Sequence, residues 1–133
     1  MIALHDSREL EYIDPTALTR LLDDLAGDVN CLRRFVQDFV SLWDTRARQL
    51  ADAIAAQVLD TAHVVLLSIR SSSRMVGAPL LETCALVMLN AVKAADLDEL
   101  RSQVASLIEL GRMTCLALGE LLDSGPPLAP VTA

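Results

Sequence analysis

One spacing dominates this chain: an apolar residue at every third or fourth position. Over the longest stretch, Leu32, Phe35, Val36, Phe39, Trp43, Ala47, Leu50 and Ile54 advance by three and four. That is the period of one face of an α-helix. Arg33, Arg34, Asp38, Asp44, Arg48 and Asp52 fill the opposite face, which therefore belongs in water. Composition agrees, because 25 Leu and 18 Ala among 133 residues are strong helix formers. Aromatic residues make up only 3%, which argues against a β-sandwich. An apolar fraction of 53% is too high for intrinsic disorder, and the length suits one domain.

Local signals divide the chain. Residues 1–13 read as an N-terminal arm without strong periodicity. Asp14-Pro15 then marks a helix start, an N-cap acceptor followed by proline in the first turn. Leu18, Leu21, Leu22 and Leu25 share a face, and Gly27 suits a left-handed closing residue. Asp28 caps a second, longer helix. No strong breaker separates that helix from the third, so the turn is placed near Ala56-Gln57-Val58-Leu59, with Asp60 opening the next helix. Gly77 ends this third helix, which runs to about Arg74, and Pro79 opens a fourth through about Ala94. Asp96-Leu97-Asp98-Glu99 has the form of a capping box. The fifth helix carries Leu97, Leu100, Val104, Leu107, Cys115, Leu118 and Leu121 on one stripe. Ser124-Gly125-Pro126-Pro127 ends it and leaves residues 124–133 as a tail. Short connections between long helices predict an all-α, antiparallel up-and-down four-helix bundle over residues 14–123, with a short additional helix at its front.

Charge and cysteine usage narrow the function classes. With 11 basic and 18 acidic side chains the chain carries a net −7, which argues against binding a nucleic-acid backbone. The apolar run Ala85–Leu89 is far short of the roughly 20 residues that span a bilayer. The start, Met1-Ile2-Ala3-Leu4-His5-Asp6, has no basic region and does not read as a secretory signal. Cys31, Cys84 and Cys115 are odd in number and widely spaced, which reads as three reduced core thiols in a cytoplasmic protein. No metal-ligand pair and no glycine-rich phosphate loop is present, so no cofactor is expected. Mean hydropathy is nevertheless high, at +0.40, and some apolar surface has to be covered.

The stretch with functional content is Leu66-Leu67-Ser68-Ile69-Arg70-Ser71-Ser72-Ser73-Arg74-Met75-Val76-Gly77-Ala78. It resembles the signature of histidine-containing phosphotransfer (HPt) domains of bacterial phosphorelays. That signature runs small residue, histidine, any residue, leucine, lysine, then small residues and a closing Gly-Ala. Tyr12-Ile13-Asp14-Pro15 through Leu25, the Phe35–Phe39 helix, and the Asp96 cap also fall where that family has them, so the resemblance covers residues 12–122. By this resemblance Arg70 matches the family lysine, Ile69 its leucine, and Ser71 the small residue that lets a partner approach. Gly77 and Ala78 match the turn. The phosphoacceptor position is held by Leu67, which has no nucleophilic nitrogen and cannot form a phosphoramidate.

His63 lies one helical turn before Leu67 on the same face. The positions three and four beyond it are Leu66 and Leu67, which supply neither a cation nor access. A site moved by about 6 Å along the helix meets a different part of a partner's pocket. The serines 71–73 have no base at a telling spacing and read as small packing residues. The resemblance thus implies an HPt-like signalling protein, not an enzyme, that binds a response-regulator receiver domain or a sensor kinase without carrying phosphate. The expected contact residues are Val64, Leu67, Arg70, Ser71 and Arg74. The alternatives are transfer through His63 and a homodimeric helical module. For the latter, Ala62, Val65, Leu66, Ile69 and Ser73 are expected inward on the third helix, and Leu81, Ala85, Met88 and Val92 on the fourth. Leu80, Leu86, Val87 and Leu89 then fall outside the core as an oligomer interface.

Overall fold

In the computed structural model, which describes residues 12–124, the chain forms five α-helices and no strand among those residues. They are α1 (Pro15–Asp24), α2 (Val29–Ala55), α3 (Leu59–Val76), α4 (Pro79–Lys93) and α5 (Leu97–Ser124). The expected arm up to residue 11, with His5, and the tail from residue 125 lie outside the described residues. Ile13, assigned above to the arm, is buried in the core.

The starts of the helices follow the local chemistry. Asp14 accepts a hydrogen bond from the Thr16 N–H at 3.0 Å, and Asp28 from the Cys31 N–H at 3.1 Å. Asp96 accepts from the Glu99 N–H at 3.0 Å. Each bond satisfies a donor that the first helical turn leaves without a partner. The return half of the expected capping box does not form. Glu99 instead accepts from Ser102 and Gln103, and the Asp96 N–H donates to the Ala91 carbonyl at 2.9 Å.

The ends of α1, α2, α3 and α4 share one device. The Gly27 N–H donates to Leu22 O at 2.9 Å and Val58 N–H to Ala53 O at 2.8 Å. Ala78 N–H donates to Ser73 O at 2.8 Å and Asp96 N–H to Ala91 O at 2.9 Å. Each bond spans a residue in the left-handed region, the geometry that closes a helix over its last carbonyls. Those residues are Ala26 (φ 58°), Gln57 (φ 61°), Gly77 (φ 75°) and Ala95 (φ 53°). Gly27, expected as the closing residue of α1, follows Ala26 and is itself left-handed at φ 77°.

Packing forms a closed circuit among the long helices. α2 packs on α3, α3 on α4, α4 on α5 and α5 on α2, while α1 lies on α3 and α2. One continuous core runs through them, including Leu32, Leu50, Leu66, Leu81, Leu100 and Leu107, each fully buried. Burial of such a side chain contributes about 1.5–3 kcal/mol, so the core dominates the stability. Phe39 and Trp43 stack with ring centroids 6.3 Å apart, and the Trp43 indole lies directly over Gly111 of α5. A Cβ at residue 111 would occupy the indole's own space. At the other end, the Asp14 N–H donates to Gly77 O at 2.6 Å and ties the start of α1 to the end of α3.

Four residues take places other than those expected from the sequence. Cys31 is exposed, not in the core. It lies one residue, or 100° around the helix, from Leu32, which the core takes instead. Leu89 is buried, because the inward face of α4 is wider than one row and takes Leu89 beside Leu81, Ala85 and Met88. Phe35 and Val92 border the core half-buried.

Candidate functional site

α3 turns Ala62, Val65, Leu66, Ile69 and Ser73 into the core, as the pattern predicts. A helix that buries these positions must present positions 64, 67, 71 and 74 on the other side. Val64 is 61% exposed and Leu67 42%, and Ser71 and Arg74 are exposed as well. Arg70, one turn beyond Leu67, is half-buried on the flank of this face, and His63 is half-buried on the same flank. Leu67 is therefore open to solvent, with one guanidinium at i+3 and a second at i+7.

The three serines separate. Ser71 is exposed, which corrects the expectation of a packing role for all three. Ser72 is half-buried and accepts from the Arg46 guanidinium of α2 at 3.3 Å. Ser73 is buried, and its hydroxyl donates to Ile69 O within the same helix. The last two fix the orientation of α3 and leave the first free beside Leu67.

Leu80, Leu86 and Val87 on α4 are about two-fifths exposed each. They do not form one stripe. Leu80 and Val87, seven residues apart, share a line along the helix, while Leu86 lies around its other shoulder. Of nine large hydrophobic residues exposed among the described residues, Val64, Leu67 and Met75 belong to α3 and these three to α4. The apolar surplus is thus concentrated on two neighbouring helices.

A cleft of about 660 Å³ lies where α2 gives way to α3, between Asp52, Ala53 and Ala56 on one side and Asp60, Thr61 and Val64 on the other. Sequence reading did not find it, since it exists only where two helix ends meet. Its lining offers carboxylates and small apolar groups and no histidine or cysteine.

Two of the three thiols, Cys84 and Cys115, are unsuited to nucleophilic work. Burial, reinforced by the Asp44 carboxylate, pushes the Cys115 thiol up to about 12, and burial also raises Cys84. Both stay protonated at neutral pH, and a protonated thiol is a poor nucleophile. Among the described residues no group of three or more His, Cys, Asp or Glu side chains is placed to hold a metal ion. No helix of the described residues is long and apolar enough to cross a membrane.

No protein-family model, no curated protein and no solved structure matches this chain.

Proposed function

We propose that the chain is an HPt-like signalling module that binds a response-regulator receiver domain, or a kinase carrying one, and passes no phosphate. The observation that carries this reading is the exposed leucine at position 67, with Arg70 and Arg74 beyond it and Ser71 small and open between them. Phosphoryl transfer needs a nucleophile aligned with the phosphorus and cationic groups around its oxygens. This face retains the cations and the access and lacks the nucleophile. Val64 extends the apolar part of the face by one turn. Guanidinium groups beside an apolar centre complement the acidic rim of a receiver's active site, and such complementarity favours encounter and register.

In this reading the scaffold, residues 14–123, is an antiparallel up-and-down four-helix bundle working in the cytoplasm. Arg33 near the start of α2 reaches Leu122 O of α5 at 3.5 Å, whereas Trp43 further along α2 covers Gly111. Numbers rise on one helix as they fall on the other, in favour of opposite directions. Arg46 with Ser72, and Asp52 facing Asp60 across the cleft, favour the same for α2 and α3.

The test is incubation with a phosphorylated receiver domain. The wild-type chain is expected to bind and take no label, and Leu67→His to acquire an acid-labile one. Label on the wild-type chain that disappears in His63→Ala assigns transfer to His63 and overturns this reading. Failure to bind any of a panel of receiver domains removes the docking part.

A further inference from the structure

The outer face of α3 has a second property that docking to a receiver does not require. Asp60, Val64, Leu67, Ser71 and Arg74 follow one another at steps of four, three, four and three. That is the spacing of the seam along which two helices pack as a coiled coil. All five residues are exposed, opposite the buried Ala62, Leu66, Ile69 and Ser73, so the seam points straight away from the core. Inward positions of α3 explain the bundle; the outward repeat is not explained by it.

We propose that this stripe pairs with the same stripe of a second copy of the chain, antiparallel, about a twofold axis passing beside Leu67. The order of residues specifies the partner. Asp60 and Arg74 stand seven residues before and seven residues after Leu67. A twofold axis at Leu67 therefore sets Asp60 of each copy against Arg74 of the other, at both ends at once. Leu67 meets its own counterpart at the centre, and Val64 falls near Ser71, whose small side chain admits it. A parallel arrangement instead places Asp60 against Asp60 and Arg74 against Arg74, which is repulsive. Self-complementarity of this kind is the requirement for a twofold interface in which one patch serves both subunits. Among the described residues neither the Asp60 nor the Arg74 side chain has an ion-pair partner in its own chain, so both are available.

The seam spans 15 residues, Asp60 to Arg74, or about 21 Å along the axis and about four helical turns. A strip of that length buries less than the roughly 800 Å² per partner of a standard stable interface, so the dimer is weak and reversible. Its consequence is competition. The dimer covers Leu67, Ser71 and Arg74, the residues proposed to meet a receiver, so self-association lowers the concentration of docking-competent monomer. The pairing itself rests on the exposed stripe alone and stands or falls independently of receiver binding.

Sedimentation velocity of the full chain, from micromolar to millimolar concentration at low salt, tests it. The wild-type protein is expected to pass reversibly from monomer to dimer. Asp60→Arg and Arg74→Asp are each expected to weaken the dimer by about tenfold or more, because symmetry creates the like-charge contact twice. The double swap, Asp60→Arg with Arg74→Asp, restores it, and Leu67→Glu abolishes it. Circular dichroism of each variant confirms that the helices persist. A wild-type chain that stays monomeric throughout, a dimer untouched by Leu67→Glu, or a double swap as weak as the single ones overturns the proposal.

Discussion

Replacing Gly77 by alanine tests how α1 is held to the bundle. Two costs arise at this residue, and they are separable. The backbone sits at φ 75°, where an L side chain costs about 1–2 kcal/mol relative to glycine. An added Cβ also stands 2.5 Å from the Ala17 Cβ and 2.7 Å from Asp14 O, closer than packed atoms tolerate. Asp14 O belongs to the residue that caps α1, and the Asp14 N–H bonds back to Gly77 O, so the contact is not relieved by a side-chain rotation. Moving a packed element in this way costs about 1–3 kcal/mol. Alanine's lower unfolded-state entropy returns about 0.4–1 kcal/mol, which leaves a net loss of about 1–4.5 kcal/mol. Urea unfolding followed by circular dichroism at 222 nm measures it as a lower midpoint with an unchanged slope. Adding Ala17→Gly to Gly77→Ala removes the nearer contact, and part of the loss is expected to return relative to Ala17→Gly alone. A loss below about 1 kcal/mol refutes the steric half of the reasoning, since backbone strain alone accounts for that much.

Three further outcomes follow from the same geometry. Gln57→Gly and Ala95→Gly relieve left-handed backbone at residues that meet no such crowding, and each is expected to raise stability by about 0.5 kcal/mol in urea melts. Gly111→Ala drives a methyl group into the Trp43 indole and is expected to cost about 2 kcal/mol or more, with a changed tryptophan emission in the folded state. Alkylation at pH 8 followed by mass spectrometry is expected to modify the exposed Cys31 first and Cys115 last. The thiol of Cys115 is held protonated up to about 12, and the thiolate is the reacting form.

How much of this was legible in the chain varies by feature. The helices and three of their caps were, because an aspartate before an apolar periodic run leaves few alternatives for the unpaired N–H groups that follow. The boundary between α2 and α3 was legible only by default. Its closing residue is Gln57, and nothing local marks a glutamine as left-handed; the same holds for Ala26 and Ala95. The outward placement of Val64, Leu67, Ser71 and Arg74 was readable from periodicity, since one face of α3 was clearly apolar enough to be buried. Leu89 and Cys31 were misread because periodicity gives the direction of a face and not its width.

What the sequence by itself determined is the all-helical class, the approximate extent of each helix and the outward place of Leu67 on α3. These depend on residues within a few positions of one another, where backbone hydrogen bonding and side-chain spacing act alone. Tertiary structure decided the rest: Gly111 beneath Trp43, Arg46 on Ser72, Gly77 against Asp14, and the cleft at the α2–α3 turn. Each joins positions that no local period relates, and each depends on how closely two helices approach. That distance is set by the sizes of side chains meeting across the core, which only the packed helices bring together.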